Sequence, residues 1–103
     1  IKLHIGDAKE IISSLNEIFD LVFIDAAKLE YSAYYDLVFP SVKIGGYIIA
    51  DNVLWSGKVI NEKHDKDTAA IHSFNDKVNK DSRVENYILP LRDGLNIIRK
   101  ISE

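Results

Sequence analysis

The chain has 103 residues, enough for one hydrophobic core and too few for two. Its net charge is −3, with a pI near 5.6, which disfavours a protein that lives on phosphate backbones. No apolar run reaches the length of a membrane span, no secretory leader pattern opens the chain, and the absence of cysteine excludes a disulfide framework and suits the cytoplasm.

Ile1, Leu3 and Ile5 alternate with Lys2 and His4, the two-residue period of a strand. Gly6 closes it. Asp7 stands at an N-cap position with Glu10 three residues on, and apolar residues then recur at helical spacing, predicting a helix over 8–18. Leu21-Val22-Phe23-Ile24, closed by Asp25, has the continuous apolar character of a parallel strand buried on both faces. A helix over 29–39 follows, with Leu29, Ala33, Leu37 and Val38 facing inward. Gly45-Gly46 predicts a turn, and Tyr47–Ala50 a second buried strand ending at Asp51-Asn52. After a loop with Trp55 and Gly57, a polar stretch leads to a helix whose inner face is Ile71, Phe74 and Val78. Strands over 83–89 and 95–101, joined through Pro90 and Asp93-Gly94, read as a hairpin. Strands alternating with helices predict an α/β fold, mostly parallel, closed by an antiparallel hairpin.

In such a sheet, ligands bind beyond the carboxyl ends of the strands. Two successive strands end in acids, at Asp25 and at Asp51-Asn52. If those strands are neighbours, two carboxylates and an amide oxygen converge, and they repel unless a cation lies between them. Hard oxygen donors suit Mg²⁺, with Ca²⁺ or Mn²⁺ as alternatives. Singly, Asp25 reads equally well as a cap on the following helix or turn, and Asp51-Asn52 equally well as a turn pair; together, at the ends of adjacent strands, they favour the metal. His4, His64 and His72 share no ligand spacing and read as surface or boundary residues; Phe74 and Tyr87 read as core, and 62–67 as a solvated loop.

The segments Phe23-Ile24-Asp25-Ala26-Ala27-Lys28-Leu29-Glu30-Tyr31 and Ala50-Asp51-Asn52-Val53-Leu54-Trp55-x-Gly57, with Gly6-Asp7-Ala8 before them and Leu89–Leu95 after, closely resemble the catechol and caffeoyl-CoA O-methyltransferases. The resemblance runs the length of the chain. It implies the C-terminal part of a Rossmann-like class I methyltransferase sheet, with S-adenosylmethionine as methyl donor, a divalent cation, and a small hydroxylated aromatic acceptor of the catechol type. Asp25, Asp51 and Asn52 would ligate the metal, and Lys28 would take the acceptor proton. Asp7, Ala8, Asp25, Ala26, Ala27 and Tyr31 would border the cofactor, and Trp55, with Lys28, the acceptor. The chemistry is coherent: chelation would lower the pKa of a phenolic hydroxyl, ordinarily near 10, and like-charge repulsion by the cation would make a neighbouring lysine a base near neutrality.

Some features depart from the pattern. Many relatives carry an acid where Ala27 stands, and no counterpart is found for the acid that orients the acceptor in the catechol enzymes. The family's glycine-rich cofactor loop and its ribose-binding acid do not occur in these residues, and the chain lacks methionine. The expectation is therefore a single partial domain, residues 1–103, that is inactive alone. The first strand, without its usual neighbours, and the open edge of the second are expected to associate, as a homodimer or by strand exchange. A monodisperse monomer in solution scattering, with residues 1–5 in the family's position, would count against this. Three other readings are a non-catalytic dimerising module, a tRNA hydroxyuridine methyltransferase, and a phosphoacceptor receiver-type domain. The receiver needs an acidic pair at the end of its first strand and a lysine at the end of a later one, whereas here the first strand ends in Gly6-Asp7 and Lys28 lies three residues after Asp25.

Overall fold

A computed structural model describes residues 1–54, 57–58 and 65–103. Asp7 starts the first helix, α1 (Ala8–Ser14), its side chain accepting from the Lys9 amide at 3.0 Å. The helix stops short of the expected residue 18. Ser13 and Ser14 turn their hydroxyls back onto the carbonyls of Lys9 and Ile11, and Leu15 is already extended. Strand β1 (Phe19–Ile24) follows, then a 3₁₀ turn (Lys28–Glu30), helix α2 (Tyr31–Val38) and a second 3₁₀ turn (Phe39–Ser41). Strand β2 (Val42–Asp51), helix α3 (Lys66–Lys80) and the hairpin β3 (Val84–Leu89) and β4 (Leu95–Lys100) complete the order.

The four strands form one mixed sheet in the order β1-β2-β4-β3. β1 and β2 are parallel, and the pairings β2–β4 and β4–β3 are antiparallel. The sheet is thus less parallel than expected, because residues 1–5 do not join it. Ile1, Leu3 and Ile5 stay exposed, and β1 keeps an open edge among the described residues. An alternating pattern makes a strand only where a partner supplies hydrogen bonds, and here none does.

The core lies between the sheet and the helices on one of its faces. Ile24, Ile48, Ala50 and Ile98 meet Tyr31, Tyr35, Val38, Ile71, Phe74 and Val78 there. The other face is open, so β1 is not buried on both sides: Leu21 and Phe23 are 56% and 57% exposed. Tyr87, expected in the core, is also exposed, while Phe74 is buried as expected.

The inward face of α2 differs in phase from the expectation. Tyr31, Tyr35, Val38 and Phe39 are buried, whereas Leu29 is exposed and Ala33 and Leu37 are half-buried. Amphipathic tyrosines set this phase. Tyr31 and Tyr35 both pack edge-on against Phe74, and each finds a polar partner for its hydroxyl. The Tyr35 hydroxyl donates to Asp81 at 2.8 Å. The Arg83 guanidinium beside Asp81 holds that carboxyl well below its usual range, and burial pushes the Tyr35 hydroxyl up.

Gly45-Gly46 lies inside β2 rather than at a free turn. The register jumps there, from Phe19 opposite Val42 to Leu21 opposite Tyr47. Gly45 takes φ 88°, and a Cβ on Gly46 would sit 2.9 Å from the carbonyl oxygens of Asp20 and Lys43. Asp65, expected in a solvated loop, caps α3 by accepting from the Thr68 amide at 2.7 Å, and Lys66 and Asp67 form the helix's first turn. The hairpin falls as expected to within one residue at each strand. No helix among the described residues is long and apolar enough to cross a membrane.

Candidate functional site

The parallel register places Ile24 beside Ala50, so the next residues, Asp25 and Asp51, leave neighbouring strands side by side. Adjacent strands lie about 4.8 Å apart, so the two carboxylates are brought to one end of the sheet. Asn52 follows with φ 59°, a left-handed conformation that amide side chains tolerate. It turns the chain directly after β2. One Asp51 carboxylate oxygen accepts from the Asn52 amide at 2.7 Å. Asp25 is open to solvent, its side chain 58% exposed.

Lys28 reaches this end from the 3₁₀ turn. Its side chain is only 9% exposed, and Nζ lies 3.9 Å from Asp25 and 2.7 Å from the Tyr31 hydroxyl. That hydroxyl in turn donates to the Asp51 backbone carbonyl at 2.8 Å. Burial, and then the charge of Asp25, push the Tyr31 hydroxyl up to about 12, so it keeps its proton near neutrality. The result is a continuous link, Asp25–Lys28–Tyr31–Asp51, across two strand ends and a turn.

The donor set suits a hard divalent cation: two carboxylates from adjacent strands and an amide, with the lysine contact to Asp25 too long for a hydrogen bond. It contains two acids, not three. Among the described residues no group of three or more His, Cys, Asp or Glu side chains comes together.

On the other side of Asp25 is a cleft of about 190 Å³ between α1, β1 and α2. Of the residues expected at the cofactor, Ala8, Asp25 and Ala26 line it. Asp7 caps α1 beside it. Ala27 is exposed at the start of the 3₁₀ turn, and Tyr31 is fully buried. Tyr31 therefore holds Lys28 and the Asp51 backbone instead of lining the cleft. The cleft also takes Ile12 and Tyr34, which the sequence reading did not single out. Ile12 was legible on the inner face of α1; Tyr34 was hidden by the phase of α2. The Lys9–Glu30 ion pair ties α1 to the 3₁₀ turn. Trp55 and His64 lie outside the described residues. His4 and His72 are exposed and stand apart from the strand-end acids in the sequence and on other elements.

A family model described as O-methyltransferase matches residues 1–101. A Dictyostelium discoideum protein named "Probable caffeoyl-CoA O-methyltransferase 2" is 42% identical over 86 residues, covering 82% of this chain and 37% of its own length. Caffeoyl-CoA O-methyltransferase 1 of Arabidopsis thaliana is 36% identical over 91 residues, covering 82% and 35% respectively. The solved O-methyltransferase of Bacillus cereus in complex with SAH superposes with a TM-score of 0.79 at 29% identity, covering 91% of this chain and 46% of that one. The chain thus spans between about a third and a half of the lengths of these relatives.

Proposed function

Since the chain belongs to the O-methyltransferase family, we propose that it carries the metal and base side of an enzyme that moves a methyl group from S-adenosylmethionine to a hydroxyl of a small catechol-like acceptor, assisted by Mg²⁺ or another divalent cation. One observation carries the reading: Asp25 and Asp51 at adjacent, register-matched strand ends, with Lys28 beside them.

Each residue then has a distinct task. Asp25, Asp51 and Asn52 would hold the cation. A bound divalent ion there supplies acidity to a chelated hydroxyl and fixes its orientation. Lys28 Nζ takes the proton that leaves the acceptor oxygen. Tyr31 keeps Lys28 turned toward Asp25 and, through the Asp51 carbonyl, fixes the end of β2. S-adenosylmethionine supplies the methyl group as a sulfonium, and Ala8, Asp25 and Ala26 offer the cleft that borders it. Trp55 and Lys28 would face the acceptor.

The glycine-rich loop that the family uses to cradle the cofactor is not among these 103 residues, so the chain by itself is proposed to be inactive. The test uses the full-length protein that carries this chain. Asp51→Ala should abolish cation-dependent methyl transfer to catechol acceptors, a loss of roughly 100-fold or more if the cation carries the charge stabilisation. Turnover that is unchanged in Asp51→Ala, or indifferent to chelator, sinks the assignment. Saturable binding of S-adenosylmethionine to the 103-residue chain in a calorimeter with Mg²⁺ would mean that these residues suffice for the cofactor site or rebuild it through association, and methyl transfer by the chain alone would overturn only the clause on inactivity.

A further inference from the structure

Three asparagine side chains run in a line from the solvent edge of the sheet to the turn that bears Asp51 and Asn52. Asn86 on β3 donates to the Asn96 side-chain oxygen on β4 at 3.2 Å. Asn96 donates to the Asn75 side-chain oxygen on α3 at 3.3 Å. Asn75 donates to the backbone carbonyl of Val53 at 2.9 Å. Every bond runs in the same direction, so each amide polarises the next and none can flip without breaking the line.

The end point is specific. Val53 is fully buried and follows Asn52, whose left-handed φ aims the proposed ligand pair. Backbone bonds also tie this turn to the hairpin loop: the Val53 amide donates to the Gly94 carbonyl at 3.2 Å and the Leu54 amide to the Asp93 carbonyl at 2.8 Å. Those bonds hold the donors of the turn. Asn75 holds the Val53 carbonyl, and with it the Val53–Leu54 peptide plane; together with the Gly94 bond on the Asn52–Val53 plane, this pins both peptides that flank Val53. An Asn at this point in α3 is otherwise a poor choice, since amides weaken helix interiors and a half-buried amide costs free energy unless paired.

We propose that Asn75 is a positioning residue for the cation site: it fixes the Val53–Leu54 peptide and, with the Gly94 bond on the preceding peptide, the turn that sets the orientation of Asn52 and Asp51, with Asn96 locking its amide. The inference rests on the reading of those residues as cation ligands. It predicts that Asn75 acts on cation affinity beyond its effect on folding, as residues that orient metal ligands do.

The probe is Mn²⁺ alone, titrated into the full-length protein that carries this chain and followed by electron paramagnetic resonance of the free ion. Asn75→Ala should weaken Mn²⁺ binding about 10- to 100-fold. Asn79→Ala, one helical turn further along α3, should leave it unchanged. Equal affinity in Asn75→Ala and wild type overturns the positioning role and leaves the cation site standing. A wild-type protein that takes up no Mn²⁺ overturns both. A second measurement needs no variant to fold. As Mg²⁺ is added to the wild type, the side-chain amide resonances of Asn75 should move with the same midpoint as those of Asn52. Asn75 resonances that stay still while Asn52 responds also overturn the proposal.

Discussion

Lys100→Ala is expected to cost about 2–4 kcal/mol, since a buried acceptor left without its donor costs about 1–3 kcal/mol and the packed stem is lost as well. The residue is 1% exposed, at the end of β4. Its Nζ donates to the carbonyls of Phe39 and Val42 at 2.9 and 2.8 Å and to Glu103 at 3.1 Å, and it lies 4.5 Å from the centre of the Phe39 ring. The two carbonyls lie at the start of, and just after, the 3₁₀ turn that carries the chain from α2 into β2; that of Phe39 also accepts from the Val42 amide. A buried charge can often be exchanged for an apolar side chain without loss, but that requires both sides of the contact to become apolar. Backbone carbonyls cannot. Lys100→Met, which keeps most of the packed stem and no donor, should therefore lose nearly as much as Lys100→Ala. Glu103→Gln should cost below about 1 kcal/mol, because that side chain is 71% exposed and water screens the pair. For a chain of this size, the Lys100 loss corresponds to a fall in Tm on the order of 15 °C. Thermal and urea unfolding would decide. A loss below about 1 kcal/mol in both Lys100 variants would mean that water satisfies the carbonyls as well as lysine does.

Lys100 also shows where a sequence becomes opaque. The alternation Leu95–Ile101 was legible as a strand, and the hairpin before it followed from Pro90 and Asp93-Gly94. Inward positions of β4 are 96, 98 and 100, of which only Ile98 is apolar. Asn96 and Lys100 are buried because partners on α3 and the 3₁₀ turn await them, and partners 21 and 61 residues away leave no local pattern. The phase of α2 was missed for the same reason: the tyrosines that are buried pay for their hydroxyls with contacts at Asp51 and Asp81. The strand pattern of residues 1–5 was real as a pattern, yet a strand is a property of a pair. The strand-end acids were the most legible part of the site. Asp25 and Asp51 close continuous apolar runs, and parallel neighbours joined by a helix bring such ends together whatever the rest of the chain does. Asn75 carried no signal at all, since nothing near it in sequence announces the Val53 carbonyl.

Tyr31→Phe is expected to reduce cation-dependent turnover of the full-length protein about 10- to 100-fold, the range seen when a group that orients a metal ligand is removed. The variant keeps the ring, its burial and its edge-on contact with Phe74 at 5.5 Å. It loses one oxygen. That oxygen accepts from Lys28 and donates to the Asp51 carbonyl, so its removal frees the proposed base and leaves a strand-end carbonyl unpaired in the same step. Stability should fall as well, by about 1–3 kcal/mol for a buried acceptor left without a donor. Stability loss alone could lower apparent activity, and Tyr35→Phe separates the two effects. Tyr35 is equally buried and also packs on Phe74, but its hydroxyl serves Asp81, away from the strand ends. Tyr35→Phe should therefore destabilise the fold to a similar degree with turnover per folded molecule unchanged. If the two variants lose turnover equally, Tyr31 is only another core tyrosine, and the link from Lys28 to Asp51 plays no part in the chemistry. If Tyr31→Phe alone loses it, the hydroxyl joins the base to the end of β2, which is how a side chain with no exposure of its own can govern a site on the surface.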